Sequence, residues 1–275
     1  MNSTRLVVRP AQAGDLDEMS AVLGRSGLSS VDRAVLEFYL ASSVTRLFVA
    51  GRGDPVTGVA GCVAFGRTGW LGSVAVDPDA RGQGLGTAVS EAALDWLRQA
   101  GVATVLLTAT ELGQPIYTRL GFVDEGVSYG IWERAQSPVL AGDGPGLVQP
   151  GRIEDVLPQD AEATGEDRRS YLTSFADRCR APAGQERAGY RVALPWGGGP
   201  VVATCAAAAR ALLVDMFAAS PAARLAFPAP NVQGAAIAVA LGFRLARRVR
   251  RMRLGPPVPG YRPEVIYNVF SLAAG

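Results

Sequence analysis

The run Val74-Ala75-Val76-Asp77-Pro78-Asp79-Ala80-Arg81-Gly82-Gln83-Gly84-Leu85-Gly86-Thr87 constrains this chain more than any other stretch. A β-branched run ends in Asp-Pro, and an Arg and three glycines follow. Val89, Ala93, Trp96 and Leu97 then fall on one face at helical spacing. The order is strand, glycine-rich turn, helix start. Glycine lets the backbone enter positive φ and approach a ligand closely. The unpaired N–H groups of a first helical turn then face an anion, aided by the helix dipole. A phosphate cradle is one reading. An ordinary tight strand-to-helix connection, which also favours glycine, is the other.

Two common phosphate motifs are excluded. A P-loop needs Gly-Lys-Ser/Thr, and all 27 basic residues of this chain are Arg. The dinucleotide fingerprint needs G-x-G-x-x-G, whereas Gly82, Gly84 and Gly86 are spaced G-x-G-x-G. The chain also has no His, which removes Ser-His-Asp triads, H-E-x-x-H metal sites and a histidine base. Without Lys there is no internal Schiff base.

Arg81-x-x-Gly84-x-Gly86 after Val-Ala-Val-Asp-Pro resembles motif A of the Gcn5-related N-acetyltransferases (GNAT), whose pattern is Arg/Gln-x-x-Gly-x-Gly/Ala. Pro115-Ile116-Tyr117-Thr118-Arg119-Leu120-Gly121-Phe122 is similar to the family's Tyr-x-x-x-Gly-Phe element. The resemblance implies a mixed α/β fold and acetyl-CoA as co-substrate, with no metal. It implies that Val74, Ala75, Val76, Arg81, Gly82, Gln83, Gly84, Leu85, Gly86 and Thr87 bind the cofactor. The N–H of Val76, on a strand that splays in the family, is expected to stabilise the oxyanion. Tyr117 is expected to be the acid that protonates the departing thiolate; its ordinary pKa of ~10 lies near that of a thiol. The base is left open: Glu111 is the nearest carboxylate and equally well a first-turn dipole partner. Thr110 stands where the family often has an Asn, which weakens a side-chain contact to CoA.

Length and pattern fit two units. Residues 1–136 are expected to form an acetyl-CoA-binding N-acetyltransferase domain and the Pro/Gly-rich 137–146 a linker. Residues 147–275 are expected to form a GNAT-like domain without the cofactor loop. Each would be a central mixed sheet flanked by helices. Leu241-Gly242-Phe243 repeats Leu120-Gly121-Phe122, the sign of an internal duplication. Ala238 stands where Tyr117 stands in the first copy, and no glycine loop precedes the helix near Ala207. Phe122 to Val127 and Ser128 to Arg134 are expected to be separate, paired strands.

Net charge is +2 and 48% of residues are hydrophobic, so no global charge points to nucleic acid or a membrane. The run Arg244, Arg247, Arg248, Arg250, Arg251, Arg253 reads as a solvated strand, with Leu245, Val249 and Met252 inward. Cys62, Cys179 and Cys205 show no C-x-x-C pair and read as small buried hydrophobes in a reduced, cytoplasmic protein. The start, Met-Asn-Ser-Thr-Arg, lacks the apolar core of a signal peptide.

The expected activity is acetyl transfer from acetyl-CoA to a primary amine of a small-molecule acceptor. The alternatives are a non-catalytic acetyl-CoA-binding module and a protein N-terminal acetyltransferase. Arg25 or Arg33 could meet an acceptor carboxylate, although a surface Arg is the plainer reading. Neither acceptor identity nor oligomeric state is legible.

Overall fold

The computed structural model describes residues 5–28, 31, 33–53, 55–134, 147–219 and 224–275. The first part runs β1 (Val7–Pro10), α1 (Leu16–Arg25), α2 (Arg33–Ala41), β2 (Thr45–Gly51), β3 (Gly58–Phe65), β4 (Thr68–Val76), α3 (Leu85–Gln99), β5 (Thr104–Ala109), α4 (Gln114–Arg119) and β6 (Val123–Glu133). The second part repeats that order. It runs β7 (Val148–Pro150), α5 (Ile153–Thr164), α6 (Arg169–Leu172), β8 (Cys179–Pro182), β9 (Gly189–Val192), β10 (Val201–Ala203), α7 (Ala206–Ala219), β11 (Arg224–Pro228), α8 (Val232–Ala240) and β12 (Arg244–Leu254). A short strand, β13 (Ile266–Asn268), ends the series.

Among the described residues the strands form two sheets, β1-β2-β3-β4-β5-β12-β6-β11 and β13-β10-β9-β8-β7. The fold is mixed α/β, with a central sheet flanked by helices. α3 turns Leu85, Val89, Ala93, Leu94 and Leu97 onto one face of the first sheet, where Cys62, Leu71, Leu107 and Met252 meet them. Fully burying one such Leu contributes about 1.5–3 kcal/mol. α1 and α2 cover the other face through Met19, Leu23, Leu36 and Tyr39. β3 is therefore buried on both sides and reads as a continuous apolar run rather than an alternating one.

The expected division of Phe122–Arg134 into two paired strands is corrected: Val123–Glu133 is one strand of 11 residues. Its partner comes from far along the chain. β12, also 11 residues, lies antiparallel between β5 and β6. The arrangement β5-β12-β6-β11 reads the same from either end, because β12 corresponds to β6 and β11 to β5. The registers agree as well. The last five residues of β12 pair with β5, Leu254 against Val105, and the last five of β6 pair with β11, Glu133 against Arg224. The same number of residues separates Leu120 from Glu133 and Leu241 from Leu254. Each half thus gives its long strand to the sheet beside the other half's β5 or β11. The expected linker, 137–146, lies outside the described residues; β6 before it belongs to the first sheet and β7 after it to the second.

Three other expectations are corrected. Leu245 is 38% exposed, because the register of β12 shifts between Leu245 and Arg247. Arg251 is buried instead, stacked 3.8 Å from the Tyr261 ring and paired with Glu125 at 3.1 Å. Cys205 is exposed, whereas Cys62 and Cys179 are buried. Burial pushes the Cys62 thiol up to about 12 and the Cys179 thiol to about 11, so both stay protonated.

Asn231 ties the second part together. Its Oδ1 accepts from Gly234 N at 2.7 Å and caps α8; its Nδ2 donates to Ile266 O of β13 at 2.9 Å. At 1% exposure neither partner can turn to water. Asn231→Ala should therefore cost about 2–3 kcal/mol, a lost cap plus an orphaned carbonyl. A lower urea midpoint at unchanged slope is the expected result.

Candidate active site

The site begins where two parallel strands part. β4 and β5 pair only at Thr68–Trp70 with Thr104–Leu106. Beyond Trp70 and Leu106 they diverge, although β4 runs on to Val76 and β5 to Ala109. A kink in β4 helps to open the cleft. Ser73 has φ 51, and the register against β3 shifts between Val59 and Gly61.

Past the kink β4 stays on β3, and its bonding parity is fixed. Asp77 N donates to Thr57 O at 2.8 Å, and the register sets Val59 against Ala75 and Gly58 against Val76. Antiparallel bonds fall on alternate pairs. Ala75 and Asp77 therefore bond to β3, and Val76 turns its N–H and C=O toward the side β5 has left. The Val76 carbonyl accepts from Ser26 Oγ at 3.0 Å. Arg25 pairs with Asp77 at 2.6 Å, so the end of α1 is fastened to the end of β4. The same guanidinium holds the Asp77 carboxyl below its ordinary range.

The glycine turn follows as expected from the sequence. After a 3-10 turn at Pro78–Ala80, Gly84 is the N-cap of α3 in the left-handed region, φ 83, and Gly82 has φ 76. No side chain caps α3, and its first turn holds no acidic residue. The N–H groups of Leu85, Gly86 and Thr87 are thus offered outward at the positive end of a 15-residue helix. Arg81 and Gln83 are exposed beside them. This donor set fits an anion such as a pyrophosphate.

The three parts converge. A Cβ placed on Gly86 would lie 3.4 Å from Val76 Cγ2 and 3.6 Å from Ile116 Cδ1. The helix start, the end of β4 and α4 therefore meet at one point. Tyr117 follows Ile116, is 8% exposed and packs edge-on to Phe122 at 5.9 Å. Burial pushes its hydroxyl up to about 12, above the ordinary tyrosine value. The group therefore stays protonated throughout the neutral range, as an acid must.

Other candidates sit differently. Glu111 is in the exposed turn before α4, not in its first turn. Thr110 caps that turn, its Oγ1 accepting from Gly113 N at 3.3 Å. Arg25 is taken by Asp77, and Arg33 by Asp17 and Glu37, so protein carboxylates already hold both. No group of His, Cys, Asp and Glu among the described residues could hold a metal, and no described helix is long and apolar enough to cross a membrane.

The corresponding place in the second part is closed. β10 passes through Thr204 and Cys205 straight into α7, with no glycine turn. Beside β10, where β4 faces an open cleft, stands β13: Asn268 pairs with Val201, and Val269 N donates to Ala226 O of β11 at 2.9 Å. The chain itself fills that cleft. The sequence reading missed this. It also missed Gly72, Thr108 and Glu166, which gather at the vertex of the open cleft.

Residues 23–122 match the model of the acetyltransferase (GNAT) family. The span includes the glycine turn and Tyr117. A search of curated proteins finds no match. Among solved structures, a candidate acetyltransferase from Pyrococcus horikoshii matches with a TM-score of 0.83 at 22% identity, covering 100% of this chain and 97% of its own. A GCN5-related N-acetyltransferase from Sphaerobacter thermophilus gives 0.63 at 16% identity, over 94% of this chain and 98% of its own. One from Kribbella flavida gives 0.51 at 20% identity, over 91% and 71%. At these identities the likeness is one of fold, and it extends through both parts of the chain.

Proposed function

We propose that this chain, which carries a GNAT acetyltransferase domain over residues 23–122, moves an acetyl group from acetyl-CoA directly to a primary amine of a small molecule. The observation that carries the reading is the meeting of an uncapped helix start, the end of a parted strand and α4, the helix that carries Tyr117.

Bound acetyl-CoA would supply an anion for the turn and an electrophilic thioester carbonyl for the cleft. The chain supplies the rest. Backbone N–H groups of Gly82 to Thr87 hold negative charge, with Arg81 adding its own. The N–H of Val76, turned away from β3, is a fixed dipole for a developing oxyanion. Val74 and Ala75 shape the strand edge below it. Tyr117 holds a proton at its hydroxyl for a leaving thiolate.

A small acceptor suits the way the second part covers α2. Phe38 packs on Tyr171, Phe175 and Trp196 with ring centroids 5.1–5.5 Å apart. These contacts hold α2 against the second part, and an acceptor that enters over α1 and α2 would pass beside them. Removing the second part is not a usable test, because it would strip β12 from between β5 and β6.

The deciding assay is thiol release from acetyl-CoA by the full chain across small amines, aminoglycosides and peptides. Turnover on small amines is expected. Binding of CoA, seen as thermal stabilisation, with no turnover on any amine would favour a non-catalytic module. Turnover on peptide N-termini alone would favour the protein acetyltransferase. With an active amine in hand, Tyr117→Phe should lower kcat about 100-fold and leave the affinity for CoA unchanged. The parent's kcat should show no alkaline fall from Tyr117 up to about pH 10, since the raised phenol is still protonated there. An unaltered kcat in the Phe variant would remove Tyr117 from the role.

A further inference from the structure

The vertex of the cleft is occupied by chain from the other half of the protein. Gly72 and Thr108 each stand two positions beyond the last paired residues, Trp70 and Leu106. Trp70 and Leu106 face the core shared with the second part, and strand alternation turns Gly72 and Thr108 the same way. The turn Ser271–Gly275 sits across them. A Cβ on Gly72 would fall 2.2 Å from Ala273 Cβ and 2.5 Å from its Cα, so only glycine fits beneath this turn. On the β5 side Thr108 Oγ1 donates to Leu272 O at 2.8 Å.

The turn is braced from behind. Ala273 N donates to Ser271 Oγ at 3.1 Å, and Phe270 N to Gly275 O at 2.8 Å. Arg168 Nη1 donates to Gly275 O at 2.7 Å and to Ala274 O at 3.3 Å. Arg168 is itself held by Asp160 in a fully buried pair. Behind the turn, Trp70 donates its indole N–H to Glu166 at 3.0 Å, and burial lifts that carboxyl. The segment that closes the second part's cleft as β13 thus continues into the vertex of the first.

We propose that the Ser271–Gly275 turn is a length stop for the acyl group, with Ala273 at its tip, and that it restricts the site to short acyl thioesters of CoA. This rests on the reading of the glycine turn as the pyrophosphate site. A linear arm held at that turn and running along the free edge of β4 points at the vertex. What stands there sets how far its end can reach. The wall is small in side chain and rigid in backbone, so room for each added methylene must come from moving packed chain.

The test needs no turnover. Affinities of the full chain for CoA, S-ethyl-CoA and S-hexyl-CoA are measured by titration calorimetry. The parent should bind S-hexyl-CoA about 10-fold or more weakly than S-ethyl-CoA, the order expected for excess methylenes in a closed pocket. Ala273→Gly shortens the tip, and Thr108→Val releases the turn from β5 at almost constant volume. Each should narrow that gap at least about threefold, with CoA itself bound within about twofold of the parent. A parent that binds both thioethers equally overturns the stop, whether or not the variants fold. So do folded variants that keep the parent's ratio. A parent that fails to bind CoA at all overturns the reading of the glycine turn, and the stop falls with it.

Discussion

Gly84→Asp should weaken CoA binding about 1,000-fold or more while the chain stays folded. Two effects act together. Gly84 sits at φ 83, where a side chain is strained by about 1–2 kcal/mol. That cost falls mainly on the fold and lowers Tm by a few degrees. The larger effect is electrostatic. A carboxylate at the N-cap would take up the first-turn N–H groups of α3, as Asp does at ordinary helix starts. It would then face the incoming pyrophosphate with like charge at the place the helix dipole makes attractive. Losing the donors and gaining repulsion is worth about 4 kcal/mol or more in a partly dry site. Gly84→Asn separates the two, because it has the same shape, tolerates left-handed backbone and carries no charge. Asn should lose about 10- to 30-fold, so the gap between Asn and Asp measures the charge alone. Titration calorimetry gives both affinities, and thermal unfolding shows that both proteins are folded. An Asp variant that still binds CoA within about tenfold of the parent would mean that the ligand's charge lies elsewhere.

The legible part of this site was local. Gly82, Gly84 and Gly86 stand beside the helix they open, and the period of Val89, Ala93 and Leu97 is written in neighbouring residues. The Tyr117-to-Phe122 element is equally short and was equally readable. The edges of the cleft were not. The free edge of β4 depends on Ser73 taking a positive φ that serine rarely adopts, and no local pattern announces it. Phe122–Arg134 was split because a hairpin was the simplest partner for it. The true partner, β12, arrives more than a hundred residues later, and pairing at that distance leaves no periodic trace in either strand. Arg251 reads as one more surface charge in a basic run. Only the ring of Tyr261 and the Glu125 carboxylate on the far strand make it a buried residue. Gly72 looks like a weak point in a strand until Ala273 is placed over it. Each miss has one cause: the residue's environment is made by chain distant in sequence.

Asp160→Ala should destabilise the protein by about 3–5 kcal/mol, because Asp160 anchors a buried charge that the rest of this region is built upon. Asp160 and Arg168 have side chains 1% and 2% exposed. Arg168 Nε donates to Asp160 Oδ2 at 3.0 Å, and Tyr190 gives its hydroxyl to the other carboxylate oxygen. With the carboxylate gone, Arg168 keeps its proton and its charge and faces the Ala274 and Gly275 carbonyls, the Tyr190 hydroxyl and the charge of Glu166. Removing one partner of such a pair costs far more than the pair itself contributes. The paired substitution Asp160→Leu with Arg168→Met should therefore recover most of the loss, since apolar groups of similar volume need no partner. Urea unfolding of the parent, the single and the double variant measures the three values. The double variant separates stability from the vertex as well. It restores the core and takes the Arg168 donor from the Ala274 and Gly275 carbonyls, leaving Gly275 O only the Phe270 N–H, so the Ser271–Gly275 turn is loosened in a stable protein. Its preference for S-ethyl-CoA over S-hexyl-CoA should then shrink as it does in Thr108→Val, by about threefold. A double variant no more stable than Asp160→Ala would show that the region depends on the shape of the ion pair and not on the cancellation of its charge.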